Sequence, residues 1–228
     1  MIPLILLPGM LCHEWQWAHQ VMHLADVADI TVADLSRWDS IRGMAEAVLA
    51  QVPPQFALAG LSMGGIVAME IMRLAPARVV KLALMDTNPY PSPPQQQDQF
   101  VYFRRLIANG RFLDITKVSL KPNLLYDDNP ALKQAVYQMA EQVGAAAYER
   151  QMTAVANRAD SRQSLKQIPC PTLVLCGRYD IPCPVALHEE MAATIPQAAL
   201  VVIEQCGHLS SMEQPQAVTA VLRYWLAQ

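Results

Sequence analysis

The sequence has no basic tract. Its 228 residues hold 17 Lys+Arg against 20 Asp+Glu, a net charge of −3, so it lacks the electrostatic footprint of a nucleic-acid-binding protein. No charged segment precedes the first apolar stretch, as a secretory signal would require. That stretch, Met1–Met10, is about half as long as a membrane span needs. The five cysteines (Cys12, Cys170, Cys176, Cys183, Cys206) are odd in number and form no C-x-x-C pair, which speaks against a zinc site and a disulfide framework and for buried thiols in a reducing compartment. Charged residues are scarce at 16% against 53% hydrophobic, the reverse of a disordered composition. These absences predict a cytoplasmic globular protein of one domain, or one domain with an insertion, with no nucleic-acid partner and no membrane span.

What is present is alternation. Nearly continuous apolar runs at Ile2–Leu7, Ile30–Leu35, Phe56–Leu61, Val79–Asp86, Thr172–Cys176 and Ala199–Glu204 read as strands buried on both faces. Between them, helix-period segments fall at Trp15–Leu24, Ser40–Gln51, Gly64–Leu74, Pro184–Thr194 and Ser210–Ala227, the last opening on Ser210-Ser-Met-Glu213 as an expected capping box. Strand–helix alternation predicts a mostly parallel sheet covered by helices. One interval breaks the rhythm. From Asn88 the chain reads NPYPSPPQQQDQ, too rich in proline and glutamine to continue a strand or begin a helix at once; beyond it Phe100–Arg111 and Pro130–Asn157 look helical. The expected organisation is a core of residues 1–87 and 167–228, with 88–166 a helical insertion.

Gly60-Leu-Ser62-Met-Gly64-Gly65 follows an apolar strand and opens a helix. A serine on such a turn projects its hydroxyl from the sheet edge at a helix N-terminus, where developing negative charge is favoured, and its neighbours must be small because strand and helix backbones approach closely. Serine is a weak nucleophile and needs a base, usually a histidine oriented by a carboxylate. His208, in Cys206-Gly-His208, follows the last expected strand and lies at the same carboxyl edge. His19, His23 and His188 read as exposed helical residues; His19 and His23 are spaced i, i+4 but lack the glutamate of a hydrolytic zinc helix, so no metal is expected. Two carboxylates end strands, Asp86 and Asp180. Asp180 is the better placed, since its loop neighbours that of His208, leaving Asp86 a loop-fixing hydrogen bond. The turn Leu6-Leu-Pro-Gly9-Met10-Leu11 after the first strand is the candidate oxyanion hole: Gly9 would let the backbone swing so that the Met10 N–H joins that of Met63. Cys12, His13 and Trp15 follow closely as candidate pocket residues.

Together these residues resemble the α/β-hydrolase superfamily. The likeness rests on the early Leu-Leu-Pro-Gly, the turn at 60–64, Gly-Arg-Tyr-Asp at 177–180, and Gly-His at 207–208 followed by Glu213 and Pro215. It covers both flanks, and for 88–166 it implies only a helical cap. It implies the order Ser62, Asp180, His208, an acyl-enzyme mechanism, and no cofactor. Two departures stand out: Pro8 replaces the usual histidine before the first-turn glycine, and the chain starts at what would be the third family strand, predicting about six strands.

A serine nucleophile sets the chain apart from the family's dehalogenases and epoxide hydrolases, which use aspartate there, and leaves esters, thioesters, amides and some carbon–carbon bonds beside carbonyls. The leading expectation is a carboxylesterase acting on a small acyl substrate, with Leu11, Trp15, Tyr90 and Phe103 as candidate substrate contacts and Phe100 and Tyr102 as further cap aromatics. A rival is a cofactor-independent C–C hydrolase, lyase or amide hydrolase for a carboxylated metabolite gripped by cap arginines, for which Arg104 and Arg105 are the candidates. A third expectation, from a different class, is a non-catalytic ligand-binding relative.

Overall fold

In the computed structural model, which describes residues 1–117 and 124–228, six strands form one sheet in the order β2-β1-β3-β4-β5-β6. They are β1 (Ile2–Leu7), β2 (Ala28–Val32), β3 (Phe56–Leu61), β4 (Val79–Met85), β5 (Thr172–Gly177) and β6 (Ala198–Ile203), and every neighbouring pair is parallel. Side chains along each strand alternate between two cores. Ile5, Leu7, Phe56 and Leu58 enter one with Met44, Val67 and Ile71; Leu4, Leu6, Ala57 and Leu61 enter the other with Trp17, Leu24, Leu222 and Trp225. The elements supplying these partners are a 3₁₀ turn (Glu14–Trp17), α1 (Ala18–Leu24), α2 (Ile41–Gln51), α3 (Met63–Leu74) and, at the chain end, α11 (Pro215–Ala227), which the short α10 (Ser210–Glu213) precedes. Val185–Thr194 is α9 and packs on β5 and β6.

Between β4 and β5 come only helices among the described residues: α4 (Pro94–Ala108), α5 (Phe112–Ile115), α6 (Pro130–Val143), α7 (Ala145–Ala156) and α8 (Arg162–Leu165). Residues 118–123, inside the expected 88–166 insertion, lie outside the described residues. No described helix is long and apolar enough to cross a membrane.

Several boundaries differ from expectation, each for a local reason. The glutamine-rich stretch does begin a helix: α4 starts at Pro94, where a proline's missing N–H costs nothing and its φ is already helical. The expected helix 130–157 breaks at Gly144, whose φ of +81° ends α6 and lets α7 start. Ser210 is no N-cap. Leu209 holds that position and Pro215 opens a new helix, while the Ser210 hydroxyl donates to Asp86 Oδ2.

The chain leaves β1 for β2 on one side, then returns to place β3 on the other, so the loops at the carboxyl ends of β1 and β3 part at a switch point, where open parallel sheets hold ligands. Here α3 crosses β1, β3 and β4 at very close range. A Cβ on Gly64 would sit 2.1 Å from the Leu7 carbonyl oxygen, and one on Gly60 would sit 2.2 Å from the Gly64 carbonyl oxygen. Gly64→Ala should therefore cost about 3 kcal/mol of stability, read as a fall in the urea midpoint. Gly110→Ala, with open space around it and a φ of +71°, should cost only the left-handed strain, about 1–2 kcal/mol. Equal losses in the two variants would refute the crowding argument.

Candidate active site

Ser62 joins β3 to α3 with φ +57° and ψ −117°, a region a non-glycine residue enters only under constraint. The constraint is visible: the Ser62 N–H donates to the Met85 carbonyl (2.9 Å), and its own carbonyl accepts from the Thr87 hydroxyl (2.8 Å) and from the N–H groups of Gly65 and Ile66. The side chain is thereby turned out of the sheet edge. Ser62 Oγ lies 2.9 Å from His208 Nε2, and His208 Nδ1 lies 2.9 Å from both carboxylate oxygens of Asp180. Three residues from three strand ends meet in one hydrogen-bonded line, with the imidazole and the carboxylate both buried.

Each partner has its own support. Asp180 Oδ1 also accepts from the Cys183 N–H (2.8 Å). The His208 N–H donates to the Leu124 carbonyl (2.7 Å). Glu213 holds the histidine's loop, taking the N–H groups of Gly207 and Leu209 on Oε1 and that of Tyr126 on Oε2. Asp86 takes the bracing part expected of it, accepting from Gly177 N–H and Ser210 Oγ. Burial, then the nearby Asp180 charge, push its carboxyl well above the usual range. For His208, burial pulls the imidazole pKa down, but the Asp180 carboxylate, with smaller help from Asp86 and Glu213, outweighs it and leaves the pKa raised.

The hydroxyl opens onto a cavity of about 330 Å³ lined by Met10, Leu11, Ile66, Phe100, Phe103 and Tyr148 among others. Met10 and Met63 both border it, and their N–H groups have no hydrogen-bond acceptor among the described residues; that of Met63 is the first of α3. Free backbone donors on residues that border a cavity beside a serine hydroxyl are of the kind that takes a developing oxyanion. The left-handed residue of the first loop is not Gly9 but Leu11, with φ +58°. Two glutamines pin that loop: Gln16 Oε1 accepts from Gly9 N–H (2.8 Å) and Gln151 Oε1, on α7, from Leu11 N–H (3.0 Å).

Other expected contacts divide. Leu11, Phe103, Phe100 and Cys12 line the cavity; burial pushes the Cys12 thiol up to about 12, so it supplies no thiolate. Trp15 does not line it. It is 44% exposed in a 3₁₀ turn, edge-on to the His13 ring. Tyr90 does not line it either: its hydroxyl donates to Glu190 and the Arg162 guanidinium stacks on its ring at 4.4 Å. Tyr102 is exposed, Arg104 donates to Thr153 and Arg105 points to solvent. The arginine that reaches the cavity is Arg158. Thr87, Gln151 and Arg158 escaped sequence reasoning because they act on partners far along the chain, and Gln16 because nothing in the local pattern marks its bond to Gly9.

His188 is fully buried, contrary to its expected exposure. Nε2 accepts from the Thr87 N–H (3.0 Å) and Nδ1 lies 3.3 Å from the Pro184 carbonyl. An imidazole that accepts from one side and donates from the other is neutral, and burial lowers its pKa to about 4. It steadies the residue that holds Ser62's carbonyl.

Residues 4–221 match the family model described as the alpha/beta hydrolase family. The chain is 25% identical to a pimeloyl-[acyl-carrier protein] methyl ester esterase of Nitrosomonas europaea, over 93% of this chain and 91% of the relative. It is 27% identical to an esterase of the same description from Legionella pneumophila, over 89% and 88%. Among solved structures it resembles a thermophilic esterase from Thermogutta terrifontis, solved with malate bound, at 28% identity and a TM-score of 0.89, covering 100% of this chain and 90% of that one.

The histidine's lowered pKa makes a stability prediction. The unfolded chain takes up a proton near pH 6.5, which folded His188 resists down to about 4; its contribution is complete above pH 6.5 and is lost as pH falls toward 4, by at most about 3 kcal/mol. Thermal melts from pH 7 to 4 should show the wild type losing more stability than His188→Gln, which offers Thr87 an acceptor but does not titrate. Parallel losses would contradict a neutral buried His188.

Proposed function

Because the chain belongs to the alpha/beta hydrolase family, we propose that it is a serine esterase cleaving a small carboxylic ester or thioester through an acyl-enzyme intermediate. The observation that carries this reading is the unbroken line from Ser62 Oγ through His208 to Asp180. The relatives of similar length act, by their descriptions, as methyl ester esterases, and they support a simple alkyl ester as the bond cleaved.

His208 Nε2 takes the hydroxyl proton as Ser62 Oγ attacks the acyl carbonyl. The carbonyl oxygen becomes an alkoxide held by the Met10 and Met63 N–H groups, with the positive end of α3 behind it. Collapse expels the alcohol, protonated by His208. Water enters by the same route in reverse: His208 removes its proton, a second oxyanion forms and collapses, and the carboxylic acid leaves with Ser62 restored. Asp180 keeps Nδ1 protonated and offsets the charge on the imidazolium. The helices between β4 and β5, whose Phe100, Phe103 and Tyr148 line the cavity, serve as a cap that holds the acyl group out of water.

Ser62→Ala should lower kcat for p-nitrophenyl acetate by up to ~10⁶-fold and abolish labelling by a fluorophosphonate probe that marks the wild type. An unlabelled wild type, or an unchanged rate, would refute the proposal and favour a ligand-binding protein. Asp180→Asn should cost about 10⁴-fold. The raised His208 pKa places the acid limb of kcat/KM above pH 6.5, and Asp180→Asn should move that limb downward, since the carboxylate is what holds the imidazole pKa up.

A further inference from the structure

Arg158 follows α7 and is 6% exposed, on the wall of the cavity that Ser62 opens onto. Burying a guanidinium is costly unless something balances it. Nothing in the described protein does. Its Nε donates to the Tyr90 carbonyl (2.7 Å), and Nη1 donates to Gln96 Oε1 (2.7 Å) and the Val155 carbonyl (3.0 Å). All three acceptors are neutral. No Asp or Glu pairs with it among the described residues, and the nearest thiol, Cys183, is held protonated by burial. The remaining nitrogen, Nη2, makes no hydrogen bond to a described residue. Gln99, an exposed residue that also lines the cavity, has an amide with no partner among the described residues. The rest of the lining is largely apolar.

Three donors thus fix the guanidinium in place and a fourth group is left over beside an apolar chamber, with one positive charge unpaired. We propose that Arg158 is a specificity residue that binds a carboxylate carried by the substrate away from the ester, so that the preferred substrate is a half-ester or an acyl ester bearing a second, ionised carboxyl group. This deepens the esterase reading and rests on it. A single cation with one free donor nitrogen matches a monoanionic carboxylate, and the charge-assisted bond is formed equally in ground and transition states. Its effect therefore belongs in KM more than in kcat. The carboxylate can sit on the acyl or the alcohol side, and the two are separable.

In the first experimental arm, monomethyl esters of dicarboxylic acids of four to eight carbons are compared with methyl esters of the matching monocarboxylic acids. The second arm compares acetyl esters of ω-hydroxy acids with acetyl esters of the matching alcohols. In one arm the wild type should favour the charged member by about 10- to 100-fold in kcat/KM, chiefly through KM. Arg158→Met should bring the charged-to-neutral ratio toward one, and Arg158→Lys should restore part of it. An unaltered ratio in Arg158→Met, with both members slowed alike, would reduce Arg158 to a brace and overturn the inference. So would a wild type with no preference in either arm at any length. Should Arg158→Met fail to fold, the wild type decides alone: glutarate or adipate should inhibit p-nitrophenyl acetate hydrolysis competitively, and an absence of inhibition in the tens of millimolar overturns the proposal. Ser62-dependent hydrolysis of p-nitrophenyl acetate tests the esterase reading separately, so the two failures are told apart.

Discussion

The close approach of α3 to the end of β1 sets the terms for the rest of the molecule. With only hydrogen at Gly64 and Gly60, the helix lies directly on the Leu7 carbonyl and on its own strand, and the chain between strand and helix has no room for a relaxed turn. Ser62 takes up the difference in its left-handed backbone. The same closeness leaves the first N–H of α3 beside the loop that follows β1, so Ser62, Met63 and Met10 border one cavity. The sheet order then supplies the imidazole and the carboxylate. β5 and β6 lie in sequence beside β4, and their following loops bring Asp180 and His208 to the serine from the same edge.

The buried polar groups behind this line differ in how they are satisfied. His188 is neutral and wedged between a carbonyl and the Thr87 N–H. Asp86 has two donors and a raised pKa. Glu213 takes three backbone N–H groups and so draws the His208 loop and Tyr126 together. These are the settled members of a polar interior in which unpaired groups are expensive. Arg158 is the contrasting case, anchored by three hydrogen bonds yet without a counter-charge among the described residues.

Strands β1 and β3 coincide with their apolar runs, and Ser62, Asp180 and His208 were legible because each sits in a short local pattern at the end of a strand. What the pattern could not carry was partnership across the chain. Ser210 resembles a cap, yet a buried carboxyl on β4's far end draws its hydroxyl away. His188 sits on a helix whose period marks no distinct apolar face, so its burial showed only once β5 and β6 were beneath it. Trp15 follows the first loop closely in sequence and Tyr90 reads as an aromatic of the expected cap, but ring orientation depends on Glu190, Arg162 and His13. Gln151 and Arg158, 140 residues from Leu11 and 68 from Tyr90 respectively, left no local trace at all.

The bond from Leu11 N–H to Gln151 has a mechanical meaning. It ties the strand-end loop that carries Met10 to a helix of the interval between β4 and β5. Any excursion of α7 away from the sheet must first surrender that bond, and Leu11, already left-handed, is the residue free to relax when it does. Displacing that helix and disturbing the loop beside Ser62 are therefore coupled through a single hydrogen bond, worth about 1 kcal/mol net.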